Sequence, residues 1–436
     1  MADCGLVVLG VENPEVHSFV CDVRVHAGPR FERQDEAGLT HFLEHMLAQG
    51  SKKFPDSNEL MRAVEDIGGA LDPSSGPETL QIELGVHRKH WRRGLEILID
   101  VLRHPLFDES EIENEKRIVA QELGEYRDEH QRNICAAELA YTLLFKEELD
   151  ELGTRGDLAT LQSFDRDMVR AQYERYMRPD NMVISVAGAF DFDEVFDELA
   201  GSLGAMHAAG EKPASSLPAL VPPQPGRRRA RCIYRRTRSQ PTVDAELFHH
   251  AWGLGDERYH AVRAGTRILG GGLSSRLFTR VREDLGLVYH IMSFTEGYSD
   301  AGAVVTTLSV DAANLAAAVA ATIETVEAVR ERGITEAELE RYKETVRCGA
   351  EIMCDDPHRL AHWFGRQEFL LRPEKLITPE EHVARQEALT CERVGEVMAE
   401  VLEHASANMA VVGPFGEGEG EDLRKLFPAE EADAAG

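Results

Sequence analysis

No two cysteines in this chain are spaced as Cys-x-x-Cys. The seven that occur, Cys4, Cys21, Cys135, Cys232, Cys348, Cys354 and Cys391, are scattered and odd in number. This argues against a disulfide framework and for reduced thiols in a cytosolic protein. Positive charge is also short: 48 Lys and Arg stand against 77 Asp and Glu, a formal net charge of -29. Nucleic acid is therefore not an expected partner, because like charges repel and there is no counterion release to drive binding. The imbalance favours a cationic substrate, provided some of the carboxylates line the site. The opening stretch, Met1 to Gly10, has no basic n-region, and its apolar run is too short for export or membrane insertion. A cytoplasmic protein with no membrane partner is expected. The run Gly270-Gly271-Gly272 is neither followed by Gly-Lys-Ser/Thr nor preceded by a Rossmann pattern, so it is a poor phosphate cradle.

At 436 residues and 43% hydrophobic content, the chain exceeds what one core usually supports. The best boundary is a Pro-rich, Arg-rich stretch from 211 to 231, with Pro213, Pro218, Pro222, Pro223 and Pro225 and then Arg227-Arg228-Arg229-Ala230-Arg231. It separates an expected first domain, 1–210, from a second, 232–415, and an acidic tail, 416–436, is expected to fray. Strand-like alternation at Phe19–Val25 and Thr79–Val86 mixes with helical periodicity at Ser57–Ile67, His90–Leu102, Arg258–Leu269 and Glu336–Met353. Gly68 to Pro73 reads as a turn. Asn408-Met409-Ala410-Val411-Val412-Gly413 echoes Asn181-Met182-Val183-Ile184-Ser185-Val186-Ala187-Gly188 about half a chain away, which suggests a repeated plan. The expected fold class is α+β, with two related domains, each an antiparallel sheet with helices packed on one face.

The stretch richest in chemistry is Thr40-His41-Phe42-Leu43-Glu44-His45-Met46-Leu47. As a helix it stacks His41 over His45 and sets Glu44 on the same side. Two imidazoles one turn apart can grip one zinc ion, and a carboxylate beside them can take a proton from water in an open coordination position. A third ligand is offered by the segment Ile112 to Glu125, which reads as a charged helix with Ile112, Ile118, Val119 and Leu123 turned inward. There Glu122 is the candidate ligand, and Glu115, two turns earlier on the same face, could orient a ligating imidazole. The second half has no His-x-x-Glu-His, so the metal is expected in the first domain alone.

His41-Phe42-Leu43-Glu44-His45, followed at a distance by Glu122, resembles the pitrilysin/insulinase family of zinc peptidases, the inverzincins. The neighbouring text agrees: Gly38-Leu39 before the motif, Gly50-Ser51-Lys52-Lys53-Phe54-Pro55 after it, and Pro105-Leu106-Phe107-Asp108 ahead of the Glu122 helix. The resemblance implies a zinc endopeptidase in which His41, His45 and Glu122 hold Zn2+, Glu44 is the general base, and Glu115 supports a ligand. It also implies that Gly270 to Tyr289 is the family's glycine-rich loop, with Arg282 and Tyr289 reaching the scissile carbonyl and substrate backbone. The family's usual Asn-Ala at a substrate-facing turn is Asp72-Pro73 here, which puts that contact in doubt. Related enzymes enclose unfolded peptides in a clamshell of four such domains. Two domains per chain therefore imply a dimer, most simply a homodimer, with a heterodimer as the alternative. The rival expectation is a non-catalytic core or partner subunit of the same fold, though such relatives typically have a broken zinc motif.

Overall fold

The computed structural model describes residues 4–145, 155–206, 231–372, 375–403 and 407–416, with Gly418, Asp422, Leu423 and Lys425. Most of the expected linker and acidic tail lies outside the described residues. Arg231, the last of the arginine run, opens a strand.

In chain order the first elements are β1 (Val7–Glu12), β2 (Ser18–His26), α1 (Leu39–Leu47), α2 (Ser57–Glu65), β3 (Ala70–Ser75) and β4 (Thr79–His87). There follow α3 (Trp91–Arg103), α4 (Glu109–Glu125), α5 (Ala136–Phe145), α6 (Leu158–Ser163), α7 (Arg166–Tyr176), β5 (Met182–Gly188) and α8 (Phe192–Leu203). The second series is β6 (Arg231–Arg236), β7 (Val243–Ala251), α9 (Arg258–Gly270), a π-helical turn (Phe278–Asp284), β8 (Val288–Gly297) and β9 (Gly302–Val310). It ends with α10 (Leu315–Arg332), α11 (Glu336–Cys354), α12 (Pro357–Leu371), α13 (Pro379–Glu387), α14 (Cys391–Val401) and β10 (Asn408–Gly413).

Two five-stranded sheets result, ordered β1-β5-β2-β4-β3 and β6-β10-β7-β9-β8. The orders match element for element, and the echoing Asn-Met segments become β5 and β10 in equivalent places. Each sheet is mixed: β1 runs parallel to β5 and β6 parallel to β10, while every other pair is antiparallel. The stretch read as a turn at Gly68 to Pro73 is already strand from Ala70. Pro73 is tolerated because β3 is an edge, where a missing ladder donor costs little.

The expectation that helices pack on one face of each sheet needs amending. Along β2, Phe19, Cys21, Val23 and Val25 enter the main core with α1 and α3. Its Val20 faces the other way and packs with Ala187, Leu360 and Ala361, so α12 covers the opposite face. In the second sheet, α5 covers the opposite face through Leu139, Ala140 and Leu143 against Phe248, Val305, Ala410 and Val412. The central strands β5 and β10 are buried at every position, the mark of a strand covered on both sides.

These two cover helices cross between the halves of the sequence. The chain divides into one unit of Met1–Glu125, Thr154–Pro218 and Glu351–Pro379, and another of Tyr126–Gly153, Ala219–Ala350 and Glu380–Gly436. The helix that follows α4 thus belongs to the second unit, and the helix that follows α11 belongs to the first. A division at the Pro-rich stretch alone does not capture this exchange.

Candidate metal centre

Helix α1 starts from Gly38 at φ 88°, a left-handed conformation that side chains resist. A Cβ there would also meet the Arg155 carbonyl oxygen at 2.3 Å, so the backbone of residues 155–156 lies directly against the start of α1. Gly38 offers no side-chain cap, and the work passes to Glu32, whose carboxylate accepts from the backbone N–H of Gly38 (2.8 Å) and of Thr40 (2.6 Å). An acid at a helix N-terminus satisfies free donors and suits the dipole. Leu39, Phe42, Leu43, Met46 and Leu47 form the buried stripe, and His41, Glu44 and His45 are left on the opposite side.

That side meets α4. The inward stripe of α4 is Ile112, Glu115, Lys116, Val119 and Leu123. Ile118 departs from expectation: it lies to one side of the stripe on the helical wheel and is 51% exposed. Glu115 is 4% exposed, and a buried carboxylate must be bonded to be tolerated. Its Oε1 accepts from the Gln49 amide at 2.8 Å, and its Oε2 lies 3.1 Å from His45 Nδ1. With Nδ1–H donating to Glu115, the lone pair of His45 is on Nε2, aimed at the gap between the helices.

Three donor atoms converge in that gap. His45 Nε2 and His41 Nε2 are 3.3 Å apart, and Glu122 Oε2 lies 3.5 Å from His41 Nε2 and 3.7 Å from His45 Nε2. A tetrahedral zinc ion with bonds of about 2.0–2.1 Å requires ligand atoms roughly 3.3–3.4 Å from one another. The triangle is therefore close to one face of such a tetrahedron. The donor set, two imidazoles and a carboxylate, suits zinc chemically.

Electrostatics support the arrangement. Burial, with smaller contributions from His45 and Arg155, lowers the His41 pKa to about 4, which keeps that imidazole neutral and able to coordinate. The Glu115 hydrogen bond raises the pKa of His45. Burial raises that of Glu44, against the lowering effect of a hydrogen bond from Ser75 on β3. A carboxyl held above its usual range is a stronger base than an ordinary glutamate.

Four supporting residues were not anticipated. Gln49 fixes Glu115, Glu32 caps α1, Ser75 bonds Glu44, and Arg155 Nε stands 3.5 Å from Glu122 Oε1. Gln49 lies one turn beyond His45 on the same side, a spacing that could have flagged it. The other three approach through the tertiary fold and leave no local signature.

Arg282 and Tyr289 both lie in the second unit. Arg282 is in the π-helical turn, its guanidinium 4.8 Å from the centre of the Phe278 ring. Tyr289, the second residue of β8, is 62% exposed and donates to Asp311 Oδ2 at 3.4 Å. Both are thus open to solvent rather than absorbed into a core.

Comparison with known proteins bears on the same segments. The family profile described as Insulinase (Peptidase family M16) matches residues 7–149, and that described as Peptidase M16 inactive domain matches residues 163–346. The chain is 29% identical over 422 residues to the uncharacterised zinc protease YmxG of Bacillus subtilis, an alignment covering 94% of this chain and 97% of that one. Among solved structures, a protease from Helicobacter pylori superimposes with a TM-score of 0.83 at 18% identity, over 95% of this chain and 98% of the other. A peptidase M16 inactive domain from Pseudomonas fluorescens gives a TM-score of 0.82 at 19% identity, over 95% and 97%.

Proposed function

Since the chain belongs to the insulinase (M16) peptidase family, we propose that it is a zinc-dependent endopeptidase acting on oligopeptides or unfolded precursor segments. The observation that carries this reading is the mutual spacing of His41 Nε2, His45 Nε2 and Glu122 Oε2 at 3.3–3.7 Å, with Glu44 beside them on α1. His41, His45 and Glu122 would hold a zinc ion, with Glu115 keeping the His45 ring turned toward it. Zinc held there would supply Lewis acidity for the carbonyl and make a water molecule easier to deprotonate.

Glu44 accepts the proton of the attacking water and later delivers it to the leaving amine nitrogen, so one carboxyl serves as base and then as acid. Its hydrogen bond from Ser75 fixes the carboxyl without removing its basicity. Arg282 and Tyr289 donate to the substrate carbonyl and backbone; a single donor to a developing oxyanion is typically worth about 2.7–4 kcal/mol of barrier. The acidic balance of the chain favours cationic peptides. The working form is a homodimer, with a related subunit as the alternative partner, and Arg282 and Tyr289 serve the centre of the opposite chain.

The rival reading, a non-catalytic core or partner subunit, draws on the inactive-domain match. That match covers residues 163–346 and contains none of His41, Glu44, His45 or Glu122. Incubation of the purified chain with a mixed peptide pool, read by mass spectrometry, separates the two. Internal cleavage that stops with chelator and returns with zinc is expected, and no cleavage by zinc-loaded protein overturns the peptidase. Exchange of Glu44→Gln with Tyr289→Phe chains tests sharing. Partial recovery of activity is expected, and none in verified mixed dimers rejects it.

A further inference from the structure

The face of the first sheet that turns away from the metal centre carries a second concentration of ligand-type side chains. Side chains alternate along a strand, so while Leu80, Ile82, Leu84 and Val86 of β4 enter the main core, Glu83 projects to the other side, beneath α12. In the ladder Glu83 pairs with Asp22 of β2 on one side and with Asp72 of β3 on the other, giving three carboxylates in one cross-strand row. Like charges placed directly opposite one another destabilise a sheet, so the row requires positive charge above it. Arg24 supplies some, its Nε donating to Asp22 Oδ2 at 2.7 Å. Asp22 is 0% exposed, yet its Oδ1 has no hydrogen-bond partner. A fully buried carboxylate oxygen left without a partner is costly.

Helix α12 lays two imidazoles over this row. His358 and His362 are one helical turn apart, the same spacing as His41 and His45. Both reach Glu83: His358 Nδ1 is 2.8 Å from Oε1 and His362 Nε2 is 2.8 Å from Oε2. His362 Nε2 also lies 2.8 Å from the Gln81 amide nitrogen. One ring nitrogen carries a proton or a lone pair, so it cannot donate to Glu83 while accepting from Gln81. A cation resolves the conflict. Imidazole and carboxylate then both direct lone pairs at it, and the Gln81 amide, turned end for end, presents its oxygen. Atoms from Asp22, Glu83 and His362 all lie within 4.8 Å of one another, compact enough to surround an ion.

We propose that Asp22, Glu83, His358 and His362 form a second metal site, for a divalent first-row transition ion, that fastens α12 to the sheet. The donor chemistry, imidazole mixed with carboxylate, fits zinc, nickel or cobalt better than magnesium or calcium, which favour oxygen alone. The spacing differs from that of the first cluster. Ligands of a six-coordinate ion with bonds of about 2.1 Å sit roughly 3.0 Å apart, nearer to the 2.8 Å between Glu83 and His362 than the wider tetrahedral spacing is. With both imidazoles about half exposed, an ion can enter from solvent and water can complete its shell. The site is structural: it joins a helix from late in the sequence to strands from its beginning, independently of peptide hydrolysis.

Metal stoichiometry tests this without reference to activity. The full chain is stripped with chelator, dialysed against Zn2+ or Ni2+, and its bound metal counted. Two ions per chain are expected in the unaltered protein, one in His358→Gln/His362→Gln, one in His41→Ala/His45→Ala, and none when all four are changed. In the His41→Ala/His45→Ala background, added metal should raise the Tm, and Glu83→Gln, which keeps hydrogen-bonding capacity and guards against a folding defect, should abolish the rise. A single ion per chain that disappears with His41 and His45 overturns the proposal. So does retention of both ions after His358 and His362 are replaced.

Discussion

The two units share a strand order but use the helix after their second strand differently. In the first unit that helix is α1, short, with only one side apolar, so that His41, Glu44 and His45 are free to meet α4. In the second it is α9, longer, with Ala261, Val262, Ala264, Gly265, Ile268 and Leu269 packed inward. A Cβ on Gly265 would lie 2.3 Å from Met398 Cγ, so α9 and α14 are in tight contact at that point. The α4 counterpart by element order, α11, has Glu338 held in a two-point bond by Arg276, at 2.7 and 2.8 Å, with no imidazole in the bond. One architecture thus leaves a helix face polar and open to an ion in one copy and spends it on packing in the other. A change on the polar face of α1 should therefore act on chemistry, and a change on the packed face of α9 on stability.

The strongest test of that contrast is Glu44→Gln. Loss of a general base typically lowers kcat by about 10²–10⁴-fold, and metal content should be unchanged when activity is assayed beside metal analysis. A loss of zinc together with activity would instead make Glu44 a structural prop. Second comes the pH dependence of the other unit. Burial raises the Glu246 pKa from 4.5 to about 7, against a lowering hydrogen bond from Thr307. The folded state holds the proton more tightly, so this stabilising contribution is complete below pH 4.5 and is lost as pH rises through about 7. A shift of that size is on the order of 3 kcal/mol. Glu246→Gln should flatten this part of a denaturation-versus-pH profile; an unchanged slope rejects the assignment.

A smaller effect is expected from Glu115→Gln, which weakens the hold on the His45 ring. Such partners are worth about 10–100-fold in metal affinity, read here by competition with a chelator of known strength. Equal affinity would mean that α4 packing alone orients the ring. Smallest is Gly265→Ala, which forces Met398 aside and should cost about 1–3 kcal/mol by denaturant titration, at the lower end because methionine repacks readily. Any accompanying loss of metal would break the contrast between the units.

The clustering of His41, His45 and Glu122 was legible in the sequence because its geometry is local. Helical spacing alone stacks His41 on His45 and aligns Glu115 with Glu122, so only the meeting of two helices had to be inferred. The repeat was legible through the two Asn-Met strands. Ile118 was misread because apolar identity was given more weight than its place on the wheel. The span from Ala70 to Ser75 was partly missed because Gly69 and Pro73 signal a turn, while an edge position removes the penalty that proline would pay in mid-sheet. The carboxylate row under α12 was invisible for a deeper reason. Asp22, Glu83 and His362 come from three distant segments, and only strand register and the crossing of α12 bring them together.

That crossing bears on how the polypeptide can be taken apart. Each lobe borrows a cover from the other's stretch of sequence, so a gene truncated after residue 210 would encode a sheet missing α12, with Val20 and Ala187 laid bare. Neither fragment should be soluble when made alone. Co-expressed as separate pieces, the two should reassemble by trading helices, as a split reporter does, and a nick in the connecting stretch should leave the molecule whole.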